Sequence, residues 1–377
     1  MSDLWFKTAI IYCVDVDAYM DGDGDGAGDF IGLTKRLDYI AGLGVTCIWL
    51  LPFYPTPNRD NGYDISDYYG VNPRVGTLGD FVCFLREATD RGIKVIVDLV
   101  INHTSDQHPW FQAAHSDRNS PYRDFYVWRN GRAVLLGEVN VEPTELEEFL
   151  YEGRRMHMAF NFLVNKNLML AMAEKSAEPL HRIWKTLPVI PSTTQWVHFA
   201  RNLDEVNLTH LLESEKEKVF EAFAPDDDMR IFGRGIRRRL PPMLKGDRKR
   251  LELIYSAILT MPGTPTLVYG EEIGMGDDLS MPGRNSVRTP MQWADEPNAD
   301  FSSAPREKLY RSIINSGPFS YKKVNVPNQQ RDENSLLSWM IRAIRIRKEC
   351  PEFGRGELEI LSATPADALF CHIPHFS

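Results

Sequence analysis

Short apolar runs recur along the chain, and most of them end in polar or charged residues. Their near-continuous hydrophobicity, rather than a strict alternation, predicts strands that are buried on both faces, as in a parallel sheet. Between them, residues 32–43 and 78–91 place apolar side chains on one face of a helix. The predicted strands are residues 9–16, 45–53, 93–102, 133–139, 157–162, 196–200 and 264–269.

The alternation of strands with helices indicates an α/β fold. Seven strands are too many for a modest open sheet and one short of an eight-stranded barrel, so the pattern favours a (β/α)8, TIM-barrel-like fold. A doubly wound sheet is the alternative. Its first strand would lead into a glycine-rich phosphate turn, whereas this one leads into DGDGDGAGD at residues 21–29.

Polar side chains cluster just past the ends of the predicted strands, at Asp64, His103, Glu138 and Asp204. In a barrel these ends face one mouth, where active sites are built. Three carboxylates and an imidazole at one rim favour a catalytic arrangement over scattered surface charge.

The composition is that of an ordinary soluble protein, with 43% hydrophobic and 25% charged residues in 377. A net charge of −9 argues against a nucleic-acid partner. No apolar stretch is long enough for a membrane span, and the N-terminal MSDLWFKTAI does not have the pattern of a signal peptide. The five scattered cysteines fit a reducing compartment. We therefore expect a cytoplasmic protein with no membrane partner; the oligomeric state stays open.

Longer motifs resemble the α-amylase family, glycoside hydrolase family 13, and within it the trehalose synthase and α-glucosidase branch. Three of the four strand-end residues lie in three of these motifs: His103 in DLVINHTS at residues 98–105, Glu138 in LLGEVN and Asp204 in FARNLDEV. Further stretches with this resemblance are DGDGDGAGDFIGL, IWLLPFYPTPNRDNGYDISDYYGVNP, INHTSDQHPWFQ, YRDFYVW, GIRRRL, LVYGEEIGMGDD and VRTPMQW.

The resemblance implies a retaining reaction on an α-linked di- or oligosaccharide, either interconversion of maltose and trehalose or hydrolysis. Retaining glycosidases use two carboxylates about 5–5.5 Å apart. By resemblance Glu138 would be the proton donor and later the base, and Asp204 the third family carboxylate, which grips sugar hydroxyls. The residues that would hold the glucose ring are Tyr63, Asp64 and His103, with Arg288 paired to Asp64 to close the pocket. The alternatives are lone strand-end acids, a core histidine and a structural ion pair.

A cation site is expected on the glycine-rich turn after the first strand. Oxygen ligands alternate along it in a spacing that suits a hard cation such as Ca²⁺. It is not an EF-hand, because Gly32 stands at the twelfth position. The resemblance supports a structural Ca²⁺ or Mg²⁺, and a solvated acidic turn is the alternative. The expected ligands are Asp21, Asp23, Asp25, Asp29 and the carbonyl of Ala27.

The chain departs from the family pattern between His103 and Glu138. The family nucleophile lies there in a G-F-R-x-D motif, which this sequence does not contain. Only 34 residues separate the two positions, whereas one strand with its crossover needs about 30. We therefore expect a barrel domain over residues 1–350 that lacks most of the inserted domain B and the fourth strand region, with the join near 128–131. Residues 351–377 would begin a truncated C-terminal β-domain.

These departures predict little or no activity, because a retaining mechanism cannot proceed without its nucleophile. Leu203 also stands where the family has a histidine that hydrogen-bonds the sugar. The alternative is a non-catalytic, α-glucoside-binding pseudoenzyme, and a weaker one is that another acid, such as Asp124, replaces the nucleophile. The missing strand would also leave two barrel edges open and favour aggregation.

Overall fold

The computed structural model describes residues 4–101, 103–129, 132–134, 158–188, 190, 194–356, 359–360 and 371–372. Glu138 lies outside the described residues. The strands are β1 Ile11–Val14, β2 Cys47–Leu50, β3 Lys94–Val97, β4 Val127–Arg129, β5 Arg132–Val134, β6 Met158–Phe160, β7 Gln195–Phe199, β8 Val206–Asn207, β9 Arg230–Ile231, β10 Gly235–Ile236, β11 Thr264–Val268, β12 Glu359–Ile360 and β13 Cys371–His372.

Helices fill most of the connections. In the described residues they are α1 Val16–Tyr19, α2 Phe30–Lys35, α3 Leu37–Gly42, α4 Leu78–Asp90, α5 Pro109–Ser116, α6 Phe162–Glu174, α7 Glu178–Thr186, α8 Glu213–Phe223, α9 Leu240–Met243, α10 Arg248–Thr260, α11 Val326–Gln330, α12 Leu336–Glu349 and α13 Glu352–Arg355. None of those described is long and apolar enough to cross a membrane.

Local sequence explains where the longer helices begin. Thr77 and Asp80 form a reciprocal capping box at the start of α4, which buries Phe84 and Ala88. Ser335 accepts a hydrogen bond from the Ser338 amide at the start of α12. Both helices present apolar side chains to the core, and the periodicity of residues 78–91 predicts this for α4.

The main sheet has six parallel strands in the order β3–β2–β1–β11–β7–β6. Within the part of the chain that the structure describes, this is the strand order of a (β/α) barrel that is open between β3 and β6. The expectation of a TIM-barrel-like α/β fold is confirmed, and six of the seven predicted strands lie in this sheet.

The seventh predicted strand, residues 133–139, differs from the expectation. Its described part, β5, pairs antiparallel with β4 rather than with the main sheet. The described residues of this predicted strand therefore belong to a separate two-stranded sheet, outside the parallel one.

The inner face of the open sheet is closed by side chains from strands that do not pair. Trp49 of β2 and Phe160 of β6 place their ring centroids 5.0 Å apart. Ile11, Cys47 and Val197 are buried beside them. The sheet is thus curled, and its strand ends face a common mouth.

Candidate active site

Asp204 lies just beyond the end of β7 and is 8% exposed. Its amide donates to the side chain of Asn202 at 3.1 Å, and its carbonyl accepts from Arg201 at 2.6 Å. Arg201 is itself buried. The backbone around Asp204 is therefore fixed on both sides, which orients the carboxylate toward the mouth side of β7.

A buried arginine pairs with this carboxylate. Arg288 Nη2 donates to Asp204 Oδ1 at 2.8 Å, and its Nε donates to the carbonyl of Leu203 at 3.0 Å. Burial alone would lower the pKa of Arg288, but the charges of Asp204 and Asp15 outweigh it and raise that pKa above its usual value. Arg288 is therefore a permanent cation against Asp204.

The expected pairing of Arg288 with Asp64 is wrong. The carboxylate of Asp64 accepts instead from the hydroxyl of Thr56 at 2.7 Å and from the amides of Arg59 at 2.9 Å and Asp60 at 3.2 Å. The loop around it folds tightly enough to satisfy both carboxylate oxygens. With three donors of its own loop, Asp64 does not need a distant guanidinium.

A second arginine spans Asp204 and its neighbour. Arg284 Nε lies 3.0 Å from Glu205 Oε2 and 3.4 Å from Asp204 Oδ1. Glu205 also lies 3.5 Å from Arg234. Asp204 is thus held between two guanidinium groups, whose positive charges attract its carboxylate.

Asp98 joins the same cluster from the end of β3. Burial raises its pKa to about 6, and the charge of Asp204 adds to the rise, while a hydrogen bond from Tyr63 opposes it. Asp98 is the first residue of the DLVINHTS motif, and the sequence predicted no role for it. Its position directly after a strand was the available signal.

His103 and Tyr63 also meet. His103 Nε2 lies 3.1 Å from the carbonyl of Tyr63, and the His103 carbonyl accepts from the hydroxyl of Tyr68 at 2.9 Å. Tyr63 also donates a hydrogen bond to Asp98, whose carboxylate lies close enough to Asp204 to be affected by its charge. The structure therefore brings Tyr63, His103, Asp204 and Arg288 to one side of the sheet. His103 and Asp204 were expected there because each follows a predicted strand, whereas Tyr63 and Arg288 were expected from the family resemblance alone. Their roles toward a sugar stay predictions.

Behind the site, Arg311 supports Arg288. Arg311 is 6% exposed and donates to Asp15 and to the carbonyl of Arg288, at 2.7 and 2.9 Å. Its other terminal nitrogen lies 2.8 Å from Asp17, which Arg74 also contacts. No sequence pattern pointed to this group, because its members lie almost 300 residues apart.

The catalytic-domain pattern named Alpha-amylase matches residues 13–161 and 192–356 of this chain. The chain belongs to the α-amylase family. This agrees with the strand order and with the site at the strand ends.

Relatives in the α-amylase family include two trehalose synthases. The Thermus thermophilus protein is 36% identical over 467 residues, covering 96% of this chain and 48% of that relative. The Pimelobacter sp. (strain R48) protein is 34% identical over 473 residues, covering 96% of this chain and 82% of that relative. The chain thus spans about half the length of the first relative and about four fifths of the second.

Solved structures of the family share the fold. The α-amylase from H. orenii is 25% identical, with a TM-score of 0.69 and coverage of 96% of this chain and 86% of that one. Isomaltulose synthase from Klebsiella sp. LX3 is 20% identical, with a TM-score of 0.71 and coverage of 97% and 88%. The second likeness shows the fold alone.

The acidic turn groups three of its five expected ligands. Carboxylate oxygens of Asp21, Asp23 and Asp29 lie within 4.8 Å of one another. Asp25 is outside this group, and its Oδ1 accepts the amide of Ala27 at 2.8 Å. This hydrogen bond closes a short turn between Asp25 and Ala27, so that this carboxylate oxygen binds the backbone amide rather than the expected cation.

The turn also carries its own hydrogen bonds. Asp21 accepts from the amides of Gly24 and Gly26 and from Ser302, at 2.6–2.8 Å. Asp29 accepts from Gly32 at 2.6 Å and caps α2. Burial raises the pKa of Asp29. Burial also raises the pKa of Asp23. Three converging carboxylates, two of them with their charge opposed by burial, fit a hard cation.

Proposed function

We propose that the strand-end site binds an α-linked glucoside such as maltose or trehalose, as in a trehalose synthase-like enzyme or its α-glucosidase relative. The observation behind it is the buried pair of Asp204 and Arg288, with Asp98 beside it. A fixed carboxylate can accept hydrogen bonds from vicinal sugar hydroxyls, and Arg288 holds the carboxylate of Asp204 in place for that task. Tyr63 and His103 border the same space.

In a complete retaining site, Glu138 would protonate the leaving oxygen and a second carboxylate would attack the anomeric carbon. Asp204 would stabilise the distorted ring of the transition state. Asp98, with a pKa near 6, accepts or donates a proton close to neutral pH.

We further propose that this chain binds α-glucosides with little or no turnover. Its sequence has no G-F-R-x-D motif, so the family nucleophile has no counterpart. The match with the Thermus relative extends over 467 positions. This chain contributes 96% of its 377 residues, about 362, so about 105 positions of the match have no counterpart in this chain. Asp124, the alternative nucleophile, is exposed within the 3-10 helix Arg123–Phe125.

A structural Ca²⁺ on the acidic turn is part of this proposal. Asp21, Asp23 and Asp29 would hold it, with further oxygens from the backbone or water. A cytoplasmic location is also proposed; among the described cysteines, Cys13, Cys47, Cys83 and Cys350 are all free thiols.

The test is to incubate the purified chain with p-nitrophenyl α-glucoside and with maltose, beside Glu138→Gln and Asp204→Asn variants. Circular dichroism shows whether each protein is folded, and calorimetry measures maltose binding. The proposal expects maltose binding that Asp204→Asn weakens about tenfold or more, with no product above the blank. Product formation that both variants abolish would overturn the claim of inactivity. Folded protein that binds no α-glucoside would overturn the proposed function.

A further inference from the structure

A small flap stands next to Asp204. Strands β8, β10 and β9 form a three-stranded antiparallel sheet that begins two residues after Asp204. At its tip the Arg234 amide donates to the carbonyl of Ile231 at 3.2 Å, which closes a four-residue turn. Phe232 and Gly233 are the two central residues of this turn.

Phe232 is an unfavourable residue for this place. Its φ is 55° and that of Gly233 is 65°, the left-handed pattern of a type I′ turn, which favours Asn-Gly. A bulky side chain in this conformation costs about 1–2 kcal/mol. Burial does not offset the cost, because Phe232 is 63% exposed. Neither the backbone conformation nor the packing of Phe232 therefore explains why a phenylalanine stands at this position.

The contacts of the ring supply one. The Arg284 guanidinium lies 5.6 Å from the centroid of the Phe232 ring, within the range of a cation–π contact. The same guanidinium lies 3.0 Å from Glu205 and 3.4 Å from Asp204. The distance from the ring centroid to the guanidinium carbon is 5.6 Å, and that from the guanidinium Nε to Asp204 Oδ1 is 3.4 Å. The Phe232 ring therefore lies within about 10 Å of the Asp204 carboxylate, and one sugar ring spans much of that distance.

We propose that Phe232, supported by Arg284, binds the second sugar ring of an α-linked disaccharide whose first ring lies at Asp204. The faces of a pyranose present C–H groups, which pack on an exposed aromatic face and exclude water from it. The free edge of the Arg284 guanidinium donates to sugar hydroxyls beside that face. This inference rests on the proposed function and adds the residue that distinguishes a disaccharide from a single glucose unit.

The experiment compares two ligands by calorimetry on the full chain: methyl α-glucoside, with one sugar ring, and maltose, with two. The variant is Phe232→Asn, which removes the ring and suits the turn, so that it keeps the flap folded. Tyr69→Ala, which removes an aromatic residue that is 85% exposed, is the matched control. Thermal unfolding of both variants is measured in parallel.

The proposal expects Phe232→Asn to weaken maltose binding about tenfold, to leave methyl α-glucoside binding within twofold, and to unfold at the same or a higher temperature. Tyr69→Ala leaves both affinities unchanged. If the natural chain binds methyl α-glucoside and Phe232→Asn binds maltose as tightly as the natural chain, the inference is overturned while the proposed function stands. If the natural chain binds neither ligand, both are overturned.

Discussion

Arg288 Nη2 and Asp204 Oδ1 lie 2.8 Å apart, and the arginine is 1% exposed. A buried charge that loses its partner costs about 3–5 kcal/mol, whereas removing both charges costs far less. We therefore expect Arg288→Met to lower the free energy of unfolding by about that amount, measured by urea denaturation. Adding Asp204→Asn recovers part of the loss.

The exposed Arg306 is the matched control. Arg306→Met should change the unfolding free energy by less than about 0.5 kcal/mol. Equal stability of Arg288→Met and Arg306→Met would mean that the pair is not formed in solution.

Asp98 predicts a pH dependence of stability. Its pKa is about 6 in the folded protein and about 3.9 in an unfolded chain. The folded state therefore holds this proton more tightly, and the stability it contributes is present below pH 4 and lost as the pH rises to 6. Two units correspond to roughly 3 kcal/mol. The free energy of unfolding of Asp98→Asn, measured in urea, should not fall between pH 4 and pH 6 in this way. If the natural chain and the variant show parallel pH profiles, Asp98 does not have the raised pKa.

The partners of these residues show what the sequence could and could not predict. Asp204 and His103 were found because each directly follows an apolar run, and in a barrel all such positions share one mouth. The open edge between β3 and β6 agrees with the predicted loss of a strand region. Local patterns suffice where periodicity and strand ends determine position.

Arg288, Arg284 and Arg311 show the limit. Arg284 lies in the 3-10 helix Gly283–Val287, and the other two lie in loops. The partner of each depends on side-chain torsions and on which donors the competing carboxylate already has. Asp64 is satisfied by its own loop, so Arg288 turns to Asp204. No spacing in the sequence encodes such competition. The pairing of β5 with β4 was missed because a strand-like run does not reveal which strand it will pair with.

The acidic turn predicts stabilisation by calcium. A ligand present at 100 times its dissociation constant adds about 2.7 kcal/mol to the free energy of unfolding. We expect a higher melting temperature in Ca²⁺ than in EDTA, and the difference should vanish in Asp21→Asn. Asp25→Asn is the matched control, because Asp25 lies outside the group of three. Identical melting temperatures in Ca²⁺ and EDTA would exclude a structural calcium site there.

The open side of the sheet predicts self-association. Just past β3, Leu99 and Ile101 are 62% and 81% exposed. Exposed apolar groups beside an unpaired edge favour aggregation. The double variant Leu99→Lys with Ile101→Lys should lower the aggregation rate in light scattering several-fold. Leu253→Lys with Ile346→Lys, on helices and similarly exposed, should not; equal effects of the two pairs would show that the edge is not responsible.

Binding without turnover is the central claim, and proton NMR of maltose in the presence of the chain tests it most directly. Saturation transfer from protein to sugar reports binding, while the anomeric signals of glucose and trehalose report hydrolysis and isomerisation. We predict saturation transfer from the protein to maltose, reduced in Asp204→Asn, and no glucose or trehalose above the blank. Accumulation of either sugar that stops in Asp204→Asn, or the absence of saturation transfer to maltose, would contradict it.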